Sequence, residues 1–187
     1  MFHTKQELDS MGFKSIGENV LISDKASIIG ASRMNIGNNV RIDDFCILSA
    51  GTGGIEIGDH VHIACYVSIV GKSKITIKDF AGISSRVSVY SSTDDYSGEF
   101  MTNPTVPDIY KNVINAEITL EKHAIIGCGS VILPGVTIGE GTSIGAMSLV
   151  NKDCEASHIY FGIPAKKIKK KSTKLFELEI KFRNEGK

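Results

Sequence analysis

Tryptophan is absent from the 187-residue chain, proline occurs only four times, and neither charge is in excess, with 21 basic and 21 acidic side chains. Nucleic-acid binders depend on a basic surface, so the zero net charge argues against that class. No apolar run is long enough to span a membrane, and the N-terminus "MFHTKQELDSMGF" lacks the apolar stretch of a secretory signal. We therefore expect a cytoplasmic protein without a membrane span.

Cysteine is scarce and never closely paired. The four cysteines are Cys46, Cys65, Cys128 and Cys154, and no two are spaced as a CxxC pair. This spacing argues against a disulfide framework or a structural zinc site, and no metal-ligand set is visible elsewhere. The length suits one domain with a sizeable core.

The chain does contain a period of six. In "ITLEKHAIIGCGSVILPGVTIGEGTSIGAMSLV", every sixth residue from Leu120 to Val150 is aliphatic. A helix repeats every 3.6 residues and a strand every 2, so neither element explains the pattern. Hexapeptide repetition is typical of a parallel β-helix, in which three hexads close one triangular coil.

The same period extends upstream in four further coils. Their aliphatic residues are Ile16, Ile22, Ile28, Ile36, Ile42, Leu48, Ile57, Ile63, Ile69, Ile77, Ile83 and Val89. A small or branched residue follows most of them four positions later, where the interior of a prism is narrow. Glycine directly after the repeat residue, as at Gly37, Gly58 and Gly139, suits corners where a Cβ is costly. The sequence thus predicts an all-β fold, a parallel β-helix over residues 15–165.

Three segments depart from the repeat. Residues 90–117 carry no hexads, and we expect them to project as a loop of functional importance. Residues 1–14 are predicted to form a helical cap, because Thr4 and Glu7 make a capping-box pattern. Residues 166–187 are predicted to form a basic tail followed by a helix with apolar residues at helical spacing.

The repeat, the projecting loop and the ending "YFGIPAKKIKKK" resemble those of the hexapeptide-repeat acyltransferases. The galactoside and maltose O-acetyltransferases and the sugar N-acetyltransferases of surface-polysaccharide synthesis are the most similar members. The resemblance implies a left-handed β-helix, a homotrimer, and active sites between neighbouring subunits with acetyl-CoA alongside the coils.

The resemblance also implies roles for particular residues. In "ITIKDFAGISSRVSVYSSTDD", Asp94 occupies the position of the family's catalytic histidine, and Asp95 follows it. Residues at acceptor-binding positions are Tyr66, Asp79 and Tyr90. Residues at positions that bind coenzyme A are Cys128, Ala146, Asn151, Lys166 and Lys167.

The missing histidine leaves three candidates for the general base. Asp94 and Asp95 are adjacent, and a second carboxylate can raise the pKa of the first. His62, in "GDHVHIACY", should point outward from the coil upstream of Asp79, and an imidazole is the side chain best suited to general-base catalysis at neutral pH. The third candidate is the acceptor itself, because a deprotonated amine is already nucleophilic. The absent histidine therefore favours N-acetylation over O-acetylation.

We expect an acetyl-CoA-dependent acetyltransferase that modifies a sugar hydroxyl or amine. The acceptor would be a nucleotide-linked sugar or a glycan precursor of bacterial surface polysaccharide. Two alternatives remain open: an acyltransferase that uses a longer acyl donor, and a β-helix scaffold that has lost its active site.

Overall fold

Short parallel strands stack into three sheets, and these sheets form the sides of a triangular prism. The computed structural model describes residues 1–185. Successive strands along the chain fall on successive sides, and each strand pairs with the strand one coil away. The predicted fold, a left-handed parallel β-helix built from hexapeptide repeats, is confirmed.

Strands of two or three residues dominate all three sides of the prism. The first side consists of β1 Ser15–Ile16, β4 Met34–Ile36, β7 Ile55–Ile57, β10 Ile75–Ile77, β15 Ile118–Leu120 and β18 Thr137–Ile138. The second consists of β2 Leu21–Ile22, β5 Arg41–Ile42, β8 His62–Ile63, β11 Gly82–Ile83, β16 Ile125–Ile126, β19 Ser143–Ile144, β21 His158–Phe161 and β22 Lys166–Lys170. The third consists of β3 Ser27–Ile29, β6 Ile47–Ala50, β9 Ser68–Gly71, β12 Ser88–Tyr90, β17 Val131–Ile132 and β20 Leu149–Val150.

The interior of the prism contains the residues that the six-residue period predicts. The repeat residues of the second side are at most 3% exposed, and Ile42, Ile63 and Ile126 are completely buried. The residues four positions later are also inside, including the polar Ser130 and Thr142. Their hydroxyls donate to backbone carbonyls, Ser130 to Gly145 and Thr142 to Glu155, so no buried hydroxyl is left unsatisfied at these positions.

The coils that begin at Ile16, Ile36 and Ile57 are two or three residues longer than the 18 residues that three hexads require. The extra residues lengthen the first side, where Met34, Ile55, Ile75 and Ile118 add a second inward-pointing column. All four side chains are at most 1% exposed. This column of core residues was not predicted, because it lies two positions before the repeat residue, where the six-residue period gives no signal.

Neighbouring coils approach each other closely at the corners. A Cβ on Gly37 would lie 2.7 Å from the carbonyl carbon of Gly58 in the next coil, which explains why glycine follows the repeat residue there. Other corner residues have a positive φ although they are not glycine, among them His60, Phe80 and His123. Their side chains stack on one another along the corner between the first and second sides.

The N-terminal helix α1 spans Lys5–Ser10, and Leu8 packs into the core. The predicted capping box is present, because the Thr4 hydroxyl accepts the N–H of Glu7 while the Glu7 carboxylate accepts the N–H of Thr4.

The C-terminal segment differs from the predicted basic tail. Lys166–Lys170 form strand β22, which pairs antiparallel with β21 and ends the second side. A lysine-rich edge strand disfavours the addition of further strands. Helix α2 spans Lys174–Glu185 and lies along the His60, Phe80 and His123 corner rather than over the end of the prism.

The segment without repeats is an ordered loop. Strands β13 Ser92–Thr93 and β14 Ile114–Asn115 pair antiparallel at its base. A short 3₁₀ turn spans Asp108–Tyr110, and a bridge joins Met101 to Lys111. No helix among residues 1–185 is long and apolar enough to cross a bilayer.

Candidate active site

A cavity of about 430 Å³ lies between the third side of the prism and the loop. Its floor consists of Tyr90, Val131 and Leu133. The loop supplies its walls, which are Ser92, Thr93, Asp94, Tyr96 and Val113. We call this space the loop cavity. Its apolar floor and single carboxylate are suited to a mixed apolar and polar ligand.

The register between β12 and β17 explains which residues form the floor of the loop cavity. Ser88 and Val89 of β12 pair with Val131 and Ile132 of β17, and the two inner residues Val89 and Ile132 are completely buried. Because side chains alternate across a strand, the residues beside them point outward. The aromatic ring of Tyr90 and the aliphatic side chain of Val131 are therefore presented to the loop.

The two adjacent aspartates have different surroundings. Asp94 is half-buried and lines the loop cavity. Asp95 instead closes a turn, since its carboxylate accepts the N–H of Ser97 at 2.7 Å and the amide of Asn112 at 3.3 Å. Hydrogen bonds from the Ser97 hydroxyl and N–H lower the pKa of Asp95. Its place beside Asp94 therefore does not raise the pKa of Asp95, because the charged form is the hydrogen-bonded one.

His62 lies on the second side of the prism and does not line the loop cavity. Its Nε2 lies 2.8 Å from Oδ2 of Asp43, and the Arg41 Nε donates to Asp43 Oδ1 at 2.7 Å. Burial raises the pKa of Asp43, but hydrogen bonds from His62 and Arg41 outweigh it and lower the pKa overall. Within one chain, the structure does not bring His62 and Asp94 together.

Only one of the three predicted acceptor residues, Tyr90, lines the cavity. Tyr66 lies at the corner between the second and third sides, where its ring stacks on Phe45 at 5.0 Å between centroids. Asp79 lies at another corner, where its Oδ1 accepts the N–H of Asp59 at 2.9 Å and its Oδ2 lies 3.4 Å from the Arg183 guanidinium. These contacts hold Asp79 at a corner that does not line the loop cavity.

The residues predicted to bind coenzyme A lie on the last coils. Cys128 and Ala146 are exposed at the same corner, and the Cys128 carbonyl accepts the N–H of Met147, the neighbour of Ala146, at 2.8 Å. Asn151 is exposed just after β20. Lys166 and Lys167 are exposed on β22, and the Lys167 ammonium lies 2.7 Å from a Glu155 carboxylate oxygen.

Sequence reasoning missed most of the cavity lining. The hexapeptide pattern could have predicted Val131 and Leu133, because these residues flank the inward Ile132 and therefore point outward. Tyr96 and Val113 lie in the loop, which has no repeat to indicate which residues face the prism.

A prism of hexapeptide coils with an ordered loop over an outward cavity is the architecture of the hexapeptide-repeat transferases. The family model "Bacterial transferase hexapeptide (six repeats)" matches residues 117–152. A dTDP-4-amino-4,6-dideoxy-D-glucose acyltransferase of Escherichia coli is 58% identical over 177 residues, which cover 95% of this chain and 92% of the relative. The chain belongs to the hexapeptide-repeat family of sugar acyltransferases.

Solved structures and a second relative agree with this assignment. AntD, an N-acyltransferase from Bacillus cereus crystallised with dTDP and coenzyme A, matches with a TM-score of 0.95 and 48% identity over 98% of this chain and 97% of its own. The putative lipopolysaccharide biosynthesis O-acetyl transferase WbbJ of E. coli K12 is 30% identical over 83% of this chain and 79% of its own. The predicted function class, acyl transfer to a sugar, is confirmed.

Proposed function

We propose that this protein transfers an acyl group from acyl-CoA to the 4-amino group of dTDP-4-amino-4,6-dideoxyglucose. The similarity to the E. coli acyltransferase of that sugar extends over 95% of the chain. AntD has been crystallised with the same nucleotide sugar and coenzyme A. The observation that carries the proposal is the half-buried Asp94 carboxylate in the loop cavity beside Tyr90.

Asp94 is proposed to bind and orient the acceptor amine. A carboxylate accepts hydrogen bonds from an amine or ammonium group, and such charge-assisted bonds are strong. AntD structures include variants of its S84 and D94, and this chain also has serine at 84 and aspartate at 94. A role for Ser84 and Asp94 in handling the acceptor is consistent with both observations.

The reaction balances without a histidine. The neutral amine attacks the thioester carbonyl, so a C–N bond forms as the C–S bond breaks. The nitrogen loses one proton, and the departing coenzyme A thiolate takes it, because a thiolate whose thiol has a pKa of about 8.5 is a stronger base than an ordinary carboxylate. Asp94 then positions the amine without having to act as a strong base. Asp95 and His62 remain weaker candidates for a base.

A homotrimer is proposed because one copy separates Ser84 from Asp94, the two residues proposed to handle the acceptor. Asp94 projects with the loop beyond the third side, whereas Ser84 directly follows β11 on the second side. Loop residues Tyr96 and Ile109 are 91% and 81% exposed, which is unusual for large apolar side chains in an ordered loop. Packing of the loop on a neighbouring copy would cover them and bring the two sets of residues together.

For the donor, we propose coenzyme A binding along the last coils, past Cys128, Ala146 and Asn151 to Lys166 and Lys167. Exposed lysines suit the phosphates of its nucleotide end. The acyl group is proposed to be acetyl or the 3-hydroxybutyryl group whose coenzyme A thioester was crystallised with AntD. The apolar floor residues Val131 and Leu133 suit the longer chain.

The test is a thiol-release assay with purified protein. We expect rapid coenzyme A release with dTDP-4-amino-4,6-dideoxyglucose, and mass spectrometry should show one acyl group on its nitrogen. Parallel reactions with acetyl-CoA and 3-hydroxybutyryl-CoA identify the preferred donor. Absence of turnover with both donors would refute the proposed acceptor, and acylation of the 4-hydroxy analogue at an equal rate would refute N-selectivity.

A further inference from the structure

A second cavity, of about 450 Å³, lies against the base of the loop. It is lined by Lys72, Ser92, Asp108, Lys111, Val113 and Asn115, and we call it the lysine cavity. Ser92 and Val113 also line the loop cavity, so the two spaces adjoin across the strand pair β13 and β14. A ligand that occupied both cavities would have to pass Ser92 or Val113.

Lys111 is unusually placed for a lysine. Its side chain is only 10% exposed, yet its ammonium lies 2.9 Å from Oδ1 of Asp108, whose side chain is 98% exposed. Lysine is seldom buried to this degree. The hydrogen bond from Lys111 lowers the pKa of Asp108, and the charge of Lys72 adds to the effect. One carboxylate in water thus faces two cations at the cavity.

Lys72 is fixed at the same place through its backbone. Its N–H donates to the Ser92 hydroxyl at 2.8 Å, and that hydroxyl donates to Oδ1 of Asn115 at 2.7 Å. The exposed side chain of Lys72 therefore starts from a rigid point beside the strand that leads to Asp94.

We propose that Lys72 and Lys111 bind the diphosphate of the nucleotide-sugar acceptor while its amino sugar lies in the loop cavity. This inference rests on the proposed function. A diphosphate carries more negative charge than the single carboxylate of Asp108, so it competes well for the two ammonium groups. Asp108 then swings into water at little cost, because its side chain is already almost fully exposed.

The spacing along the strand fits this arrangement. Ser92 borders both cavities and Asp94 lies two residues further on, which is about 7 Å of extended chain. That length is close to the width of one pyranose ring. A diphosphate near Ser92 therefore allows the amine on the far side of the sugar ring to reach Asp94.

The arrangement has a consequence for specificity. Binding energy from the diphosphate is available only to a nucleotide-linked sugar, and the free amino sugar lacks it. We therefore expect the enzyme to select acceptors by their diphosphate as well as by the amine.

The test compares Lys111→Gln and Lys72→Gln with Lys74→Gln as the matched control. Lys74 lies two residues from Lys72 but pairs with Glu56 at 2.9 Å on the first side of the prism. We expect the KM for the nucleotide sugar to rise about tenfold or more in each test variant, because each removes a charge-assisted phosphate contact. The kcat and the KM for acyl-CoA should stay within about twofold, and Lys74→Gln should behave like the wild type.

Two further measurements keep the result interpretable. Calorimetric titration with dTDP should show weaker binding to both test variants, whereas titration with thymidine should show equal binding to all proteins. Lys111→Arg, which keeps the charge, should recover most of the affinity lost in Lys111→Gln. If circular dichroism shows that Lys111→Gln does not fold, the KM values of Lys72→Gln and Lys111→Arg still test whether the lysines bind the diphosphate.

The outcomes separate this inference from the proposed function. If the wild type acylates the nucleotide sugar but the lysine variants keep its KM, the diphosphate does not bind here and the inference alone fails. A rise in the KM for acyl-CoA instead assigns the cavity to the diphosphate of coenzyme A and overturns the acceptor assignment. If the wild type neither binds dTDP nor acylates the sugar, the proposed function fails as well.

Discussion

The Nε2 atom of His62 lies 2.8 Å from Oδ2 of Asp43, on a side of the prism that the loop cavity does not reach. Arg41 holds the other oxygen of the same carboxylate. The three side chains form a surface hydrogen-bond network, which gives His62 a partner without any acceptor sugar. This relationship distinguishes His62 from Asp94, which faces a cavity.

Substitution of Asp94 and of His62 should therefore have unequal effects on turnover. We expect Asp94→Asn to lower kcat about 100-fold, because the amine loses its orienting carboxylate. His62→Gln should change kcat less than about threefold, since the amide can still hydrogen-bond to Asp43. Steady-state kinetics with the nucleotide sugar checks both values, with Asp9→Asn on helix α1 as the control. A greater loss in His62→Gln than in Asp94→Asn would make His62 the base, supplied across a subunit interface.

The six-residue period was sufficient to predict the fold because it reports a single physical requirement. Each coil must place an aliphatic side chain inside the prism at the equivalent position of every side. Ile63, Ile83 and Ile126, which lie at equivalent positions of successive coils, are buried for that reason. The extra inward column at Ile55 and Ile75 follows from lateral packing between coils, which a period along one coil does not encode.

The corner glycines allow a direct test of close coil packing. Gly37→Ala places a methyl group 2.7 Å from the Gly58 carbonyl carbon, where backbone must shift. Gly82→Ala meets only a side-chain carbon of Ile125, at 3.9 Å. We expect Gly37→Ala to lower the free energy of unfolding by about 1–3 kcal/mol and Gly82→Ala to leave it unchanged or slightly raised. Thermal unfolding at one protein concentration measures both, and equal stability of the two variants would contradict the packing argument.

The candidate site was less predictable than the fold. The roles of Asp94 and Tyr90 were predicted because the hexapeptide repeat ends near them and the resemblance to the family assigns functional positions there. Lys111 gave no sequence signal, because its burial depends on how the loop folds back through β13 and β14. Asp79 was assigned to the acceptor from resemblance alone, whereas in the structure it bonds to Asp59 and Arg183.

The buried hydroxyl of Thr142 offers a second stability test. Its Oγ1 donates to the Glu155 carbonyl at 2.6 Å inside the prism. Thr142→Val keeps the shape but leaves that carbonyl without its partner, so we expect a loss of about 1–3 kcal/mol in the free energy of unfolding. Thr119→Val, on the outward face of β15, should have little effect. Denaturant titration of both variants checks this difference.

A buried carboxylate, Glu179, joins helix α2 to the prism in addition to the aromatic contacts along the corner. Glu179 accepts hydrogen bonds from Lys122 at 2.7 Å and Arg183 at 2.6 Å, and its other oxygen lies 2.7 Å from the His123 Nε2. Burial by itself raises the pKa of Glu179, but these partners outweigh it and lower the pKa from 4.5 to about 2.

A lowered carboxyl pKa makes the docking of α2 depend on pH. The folded state favours the charged form, so the contribution of Glu179 is complete above pH 4.5 and is lost as the pH falls toward about 2. We expect Glu179→Gln to expose residues 174–185 to hydrogen exchange at neutral pH, because it removes the carboxylate that pairs with Lys122 on the prism and Arg183 on the helix. Glu177→Gln, on the exposed face of the same helix, should not. Between pH 5 and 3 the wild type should progressively lose protection of this helix, whereas Glu179→Gln should change little. Equal protection of α2 in the wild type and Glu179→Gln across this range would show that the carboxylate does not hold the helix.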